Sequence, residues 1–194
     1  LDYLVLHPLG LAGIGAYFFS IATLKWYWPL PVATLASALV AGLAGAAIGL
    51  VIRNLRGDGL TLATFGIGVI GFELFRYLDI TGGVYGLSGQ PTAIDKVPGL
   101  PFLYLGVGAV LLVFWKHSLG GTFTRALGEN EWAALSLGVR LRVHQITSGA
   151  LVGLLSGLAG IYMTMMTQFI EPRDFRPTSL VLPLAAALFL ANRT

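Results

Sequence analysis

The chain has 194 residues, of which 56% are hydrophobic and 11% are charged, and its mean hydropathy is +0.79. Because soluble domains carry roughly 25% charged residues, this composition argues strongly against a soluble globular domain and excludes a disordered chain. The net charge of +3 is too small for the basic stripe of a nucleic-acid-binding protein, and the absence of cysteine excludes disulfides and thiolate metal sites.

Long uncharged stretches predict about six membrane-spanning helices, because a span needs roughly 20 mostly apolar residues. The predicted spans are Leu9–Leu24, Pro31–Ile52, Leu60–Leu78, Leu100–Trp115, Ile146–Phe169 and a sixth that begins near Pro177. The expected fold is an all-α, polytopic transmembrane bundle that forms a single membrane domain over residues 1–194. No charged segment or cleavage site marks a signal peptide, and we expect a piece of a longer membrane protein, cut at both ends.

The predicted spans divide the loops into two sets on opposite sides of the membrane. One set holds seven basic residues and the other holds five, counting Arg76 at a helix end; the seven are Arg53, Arg56, Lys116, Arg125, Arg140, Arg142 and Arg193. Cytoplasmic loops of membrane proteins are enriched in Lys and Arg. We therefore expect the first set, which includes the polar loop 116–145, to be cytoplasmic.

Small residues recur every four positions in the second and fifth predicted spans. The second span carries Ala33, Ser37, Ala41, Gly45 and Gly49, and the fifth carries Gly149, Gly153 and Gly157, with Gly160 one turn on. A spacing of four places these residues on one helix face, where small side chains let two backbones approach closely. We expect both faces to be buried in protein rather than in lipid.

Glu73 is the one acidic residue well inside a predicted span. Ionisable residues at membrane depth are functional candidates, so Glu73 and Arg76 are candidates for a translocation path, together with Gly82 and Gly83 in the Gly-rich connection that follows. The alternative is structural. Arg76 lies one turn after Glu73 on the same face and near the helix end, where the two side chains can pair and reach the interface. The sequence favours a purely structural ion pair, and a role in the translocation path remains the alternative.

No motif of a catalytic or nucleotide-binding site is present. The chain has no HExxH, no GxSxG and no P-loop, and its three histidines are far apart in the sequence. We therefore expect no catalytic residue, no cofactor and no metal, and any ATP hydrolysis must belong to another chain.

The polar segment Lys116–Gln145 contains a predicted amphipathic helix, Glu129–Gly138. Its two acidic residues are predicted in the first turn, where the helix dipole favours them, and its final glycine suits a left-handed cap. An apolar stripe runs beside two alanines that keep the helix slim. The helix either inserts into a groove of a partner or lies flat on the membrane, and the residues alone favour neither. The residues singled out are Glu129, Glu131, Trp132, Ala133, Ala134, Leu135 and Gly138.

This segment resembles the cytoplasmic coupling loop of ABC importer permeases, and in particular of LivM-like branched-chain amino acid permeases. The resemblance rests on ENEWAALSLGV from Glu129, preceded by Arg125-Ala126-Leu127. It extends in the family's order and spacing to LGLAGIGAY (9–17), LRGDGLTLATFGIG (55–68), TGGVYGLSGQP (81–91) and SGLAGIYMTMMTQFIEPRDF (156–175). The chain departs from the pattern at Trp132, where the general motif has an acid, and at Gly128, where the family usually has a second basic residue.

The resemblance implies a non-catalytic permease subunit, multi-pass in a bacterial or archaeal cytoplasmic membrane, that moves branched-chain or related amino acids or amides. It also implies three kinds of protein partner: ABC ATPase subunits, a LivH-like second permease and an extracytoplasmic substrate-binding protein. Residues 129–138 would then dock on an ATPase. An ATP-independent membrane channel or scaffold remains the alternative, and retention of an ATPase in mild detergent would distinguish the two.

Overall fold

The computed structural model describes residues 8–52, 55, 58–89, 99–129, 134, 136 and 140–176. The predicted sixth span, from Pro177, lies outside these residues. The described helices are α1 (Pro8–Leu24), α2 (Leu30–Val51), α3 (Asp58–Tyr77), α4 (Leu100–His117), α5 (Leu119–Glu129) and α6 (Leu141–Thr167). The predicted all-α class is supported, and the first three helices begin and end within two residues of their predicted bounds.

Local chemistry explains where the first helices end and begin. After α1, Tyr27 adopts a positive φ of 53°, which an α-helix cannot continue through. The α2 helix then starts with a proline in its first turn, where the missing N–H breaks no helical hydrogen bond. The indole rings of Trp26 and Trp28 stack 5.4 Å apart and lie near Phe18, so the exposed turn is bordered by aromatic rings.

The core lies where α1, α2 and α6 meet. One buried cluster joins Phe19, Ala33 and Ile161 from these three helices to Tyr104 of α4. The hydroxyl of Thr34 lies 3.0 Å from that of Tyr104 and ties α2 to α4. A second cluster packs α1 against α3. Helix α6 is the central element of the described bundle, because it contacts α1, α2, α4 and α5.

The region after α4 differs from the prediction. We expected a polar loop over 116–145 with one helix starting at Glu129, but α5 occupies Leu119–Glu129 and Glu129 is its last residue. The assignment of Glu129 to a first turn is therefore wrong. The physical reason is the apolar repeat at Leu119, Phe123 and Leu127, which gives the preceding segment an amphipathic helical face. Helix α6 also starts at Leu141, five residues before the predicted Ile146.

A small β-pair joins two connections and is the only strand pairing in the part of the chain that the structure describes. Strand β1 (Leu87–Ser88) pairs antiparallel with β2 (Phe169–Ile170), with Leu87 opposite Ile170. Short 3₁₀ turns flank the pair at Asp79–Thr81, Gly83–Tyr85 and Pro172–Phe175. The pair links the end of α6 to the loop after α3.

Two of the described helices, α2 and α6, are long and apolar enough to cross a membrane, and a third candidate arises if the bent pair α4–α5 forms one span. Helix α1 is apolar but shorter, at 17 residues. The described part of the chain therefore accounts for two or three spans by length and composition.

Candidate functional site

The seam between α2 and α6 is closed by glycine backbones. A methyl group on Gly45 would collide with the carbonyl oxygen of Gly149 and lie 3.0 Å from the Cα of Gly153. A methyl group on Gly149 would lie 2.5 Å from the carbonyl oxygen of Gly45, and one on Gly49 would collide with that of Gln145. The two helices therefore touch backbone to backbone along the face that the sequence marked with small residues.

Helix α1 closes the other side of α6 in the same way. A methyl group on Gly15 would lie 2.5 Å from the Cα of Gly157, and one on Gly160 would collide with the carbonyl oxygen of Ala12. A methyl group on Gly157 itself would meet the Cβ of Ala41 at 2.6 Å. Three helices thus converge at Gly157, where only hydrogen fits between them.

Glu73 and Arg76 form an ion pair on the outward face of α3. The guanidinium Nη1 donates to both carboxylate oxygens at 3.1 Å, and the side chains are 56% and 43% exposed, respectively. The Arg76 guanidinium also lies 5.6 Å from the ring centroid of Phe72, and Arg176 approaches the same ring at 5.8 Å. The pair is thus formed within the chain, yet it stays accessible to a solute or to a neighbouring subunit.

The other two candidates for the path, Gly82 and Gly83, form the turn after α3. Their φ angles are 79° and 56°, a left-handed conformation that favours glycine. The turn is held from several sides, because Thr81 donates to the carbonyl of Phe75 at 2.6 Å and Lys25 Nζ donates to that of Ile80 at 2.9 Å. These glycines shape a fixed turn just beyond the C-terminal end of α3, where the ion pair lies.

The segment Glu129–Gly138, for which the sequence suggested a coupling role, is described only in part. Ala134 and Ser136 lie in helical backbone, whereas Glu131, Trp132, Ala133, Leu135 and Gly138 lie outside the described residues. Ala134 is 1% exposed and packs with Leu127 and Leu141 of the same chain. Ala134 therefore fixes this segment to α5 and α6, and it is not free to fill a groove on a partner as the sequence suggested.

Sequence reasoning missed two structural connections near these sites. One is the pairing of β1 with β2, and the other is the capping box in which the carboxylate of Asp174 accepts from the backbone N–H of Glu171 at 3.1 Å. The usual sequence signature of a capping box is Ser or Thr followed three residues later by Glu or Gln, which Glu171 and Asp174 do not match, and two-residue strands leave no pattern. In the described ranges, His, Asp and Glu form no cluster able to hold a metal ion.

These features define a class: a helical protein with apolar helices of membrane-spanning length, packed through glycine. The chain belongs to the branched-chain amino acid transport system / permease component family, whose model matches residues 9–191. No solved structure matches the chain.

Two curated relatives carry the same printed name, high-affinity branched-chain amino acid transport system permease protein LivM. The protein from Escherichia coli (strain K12) is 29% identical over 210 residues, and that from Salmonella typhimurium (strain LT2) is 28% identical over 210 residues. Each alignment covers 89% of this chain and 48% of the relative. The chain therefore spans about half the length of the curated relatives that it matches.

Proposed function

We propose that the chain is part of the membrane-spanning permease subunit of an ABC importer for branched-chain or related amino acids. The observation that carries this proposal is the family match over residues 9–191. The apolar helices α2 and α6, closed on each other through glycine, suit a bundle that packs tightly in lipid. In this proposal ATP hydrolysis falls to partner subunits.

The proposed arrangement has about six spans in this piece, with the loop 116–145 on the cytoplasmic side of a bacterial or archaeal membrane. The proposed partners are ABC ATPase subunits, a LivH-like second permease and an extracytoplasmic binding protein. The ion pair of Glu73 and Arg76, beside the turn at Gly82 and Gly83, is the proposed polar part of the path. Its support is the exposure of two charged side chains in the part of α3 that follows Asp58 and is otherwise uncharged.

In this proposal the segment Glu129–Gly138 couples the bundle to an ATPase. Ala134 anchors the segment to the chain, so Trp132 and Leu135 become the proposed contacts with the ATPase. Buried aromatic anchors dominate many interfaces and contribute about 2 kcal/mol or more when truncated. In this proposal the helix bundle has two arrangements, and the change between them moves the substrate's access from one side of the membrane to the other.

The experiment that tests the coupling role is Trp132→Ala in the tagged full-length protein, purified with its partners in mild detergent. We expect at least a tenfold loss of retained ATPase or of substrate-stimulated hydrolysis, since about 2 kcal/mol exceeds the 1.4 kcal/mol that corresponds to tenfold. Trp26→Ala is the matched control, because Trp26 is an exposed tryptophan of the turn after α1, in the opposite set of loops. Equal ATPase retention and hydrolysis in both variants would exclude Trp132 from the contact.

A further inference from the structure

The connection between α4 and α5 is braced so that α5 leaves α4 at a defined angle. The two helices are bent by 68° at a break of one residue, Ser118. The six-membered ring of Trp115 covers Gly120, where an added methyl group would lie 2.7–2.9 Å from the ring atoms. Ser118 donates to the carbonyl of Trp115 through its backbone N–H at 3.0 Å and its hydroxyl at 2.7 Å. Arg125 donates to the carbonyl of Lys116 at 2.7 Å.

Helix α4 carries apolar side chains outward along its length. Phe102, Val110, Val113 and Phe114 are all more than half exposed, and Phe114 reaches 74%. These side chains suit contact with lipid hydrocarbon if α4 crosses the bilayer, as in the proposed function. A bend of 68° at its end then turns α5 away from the membrane normal and toward the membrane plane.

The apolar face of α5 is half covered. Its C-terminal half is covered by the chain, because Leu127 is 9% exposed and packs with Ala134 and Leu141. Its N-terminal half is bare: Leu119 is 76% exposed and Phe123 is 37% exposed, one turn apart on the same face. Helical geometry places Thr124 well away from this face.

Charge favours lipid as the occupant of the bare half. The basic residues beside this half are Lys116 and Arg125, with His117, whereas Glu129, the one acidic residue in the sequence of α4 and α5, lies at the far end of α5. Basic residues beside an apolar helical face are typical of helices that lie in the headgroup layer of an anionic membrane. Exposed apolar side chains also lie on both sides of the bend, since Phe114 of α4 is 74% exposed and Leu119 of α5 is 76% exposed.

We propose that α5 is an interfacial helix whose Leu119 and Phe123 insert into the headgroup–acyl boundary of the membrane leaflet at which α4 ends. The proposal rests on the proposed function in one respect, namely that α4 crosses the bilayer. Its consequence is that one end of the coupling loop is held at the membrane surface by lipid, while Leu127 and Ala134 hold the following segment to α6.

Single cysteines test this proposal cleanly, because the chain has no native cysteine. Leu119→Cys, Phe123→Cys and Thr124→Cys in the full-length protein would each carry a nitroxide in vesicles of phosphatidylcholine and phosphatidylglycerol. Electron paramagnetic resonance then compares collisions with oxygen, which partitions into lipid, and with a water-soluble nickel chelate. We expect the oxygen-to-nickel ratio to be several-fold higher at positions 119 and 123 than at 124.

Two results would overturn the proposal. High nickel access at positions 119 and 123 would place the face in water, and low access to both reagents would mean that protein covers it. A nitroxide at Val113→Cys provides the separate check on α4, since Val113 is 58% exposed near the end of that helix. Lipid exposure at 113 without lipid exposure at 119 and 123 would refute the interfacial helix and leave the membrane-spanning reading intact.

Discussion

The α2–α6 seam and the outward face of α3 are both rich in glycine, but the glycines have opposite surroundings. At the seam, every glycine of the two helices that we singled out faces backbone or Cβ atoms so closely that a methyl group would collide or nearly collide. On α3, Gly59 and Gly66 have nothing within 4 Å of the position that a Cβ would occupy, among the described residues. The same residue type therefore marks a closed contact in one region and an open face in the other.

The contrast teaches that a glycine ladder identifies a helix face, and that a second ladder in the same chain identifies its partner. Helix α2 finds that partner in α6, whose glycines have matching spacing. The open face of α3 instead carries Gly59, Gly66 and Glu73 at intervals of seven residues, which places two glycines and a charge on one side. The outward face of α3 therefore combines open glycine positions with an exposed ion pair.

The largest expected effect comes from filling the seam. Gly45→Leu places four carbons where the carbonyl oxygen of Gly149 already lies, and overpacking of a closed contact costs about 1–3 kcal/mol or more. We expect loss of monodisperse protein on size-exclusion chromatography in detergent.

Gly66→Leu is the matched control for this change, because it is the same substitution in an open helical position. Its expected effect on the stability of the chain is neutral or favourable, since leucine is a better helix former than glycine by roughly 0.5–1 kcal/mol. If Gly45→Leu and Gly66→Leu purify equally well, the difference between the two regions is not one of packing.

A smaller effect is expected when a closely contacted glycine and an open glycine of the loops are each replaced by alanine. Gly86→Ala brings a Cβ into the carbonyl oxygen of Ile170, and its backbone has φ 71° and ψ −162°, a region almost restricted to glycine. We expect a loss of about 2 kcal/mol, seen as a lower Tm in detergent. Gly89→Ala also has a positive φ, 84°, but open space around it, so only the backbone cost of about 1 kcal/mol remains. Equal Tm values for the two variants would contradict the close contact at Gly86.

The smallest effect on stability is expected at the ion pair of α3. Exposed ion pairs contribute about 0.2–1 kcal/mol, so Glu73→Gln and Arg76→Gln should each change Tm little. If the pair lines the path, both variants should still lower amino acid uptake strongly. The reversed pair, Glu73→Arg with Arg76→Glu, should restore stability without restoring uptake. Normal uptake in both single variants would limit the pair to a structural role.

The sequence predicted the first three helices well because each has a plain signal at its ends. A proline opens α2, aromatic residues follow α1, and apolar runs of sufficient length fill the interior. The small-residue ladders led to the expectation that both faces are buried in protein, but they did not pair the faces with each other, since spacing of four is a property of one helix and carries no long-range information.

The sequence did not predict α5 or the β-pair. The stripe of Leu119, Phe123 and Leu127 was visible, but the polar composition of 116–145 led us to predict a loop there. The pairing of Leu87 with Ile170 joins positions far apart in the chain, and two-residue strands show no alternation. The burial of Ala134 depended on α5 for the same reason, because the helix that covers it was not predicted.

Uptake of radiolabelled leucine tests the central claim most directly. The tagged full-length protein, purified with its copurifying subunits and reconstituted with them into vesicles, would be supplied with the binding-protein fraction outside and with ATP or a non-hydrolysable analogue inside. The account predicts leucine accumulation against its gradient with ATP and none with the analogue. Leucine flux that equilibrates without ATP, in an assembly that contains no ATPase, would contradict it and favour an ATP-independent channel.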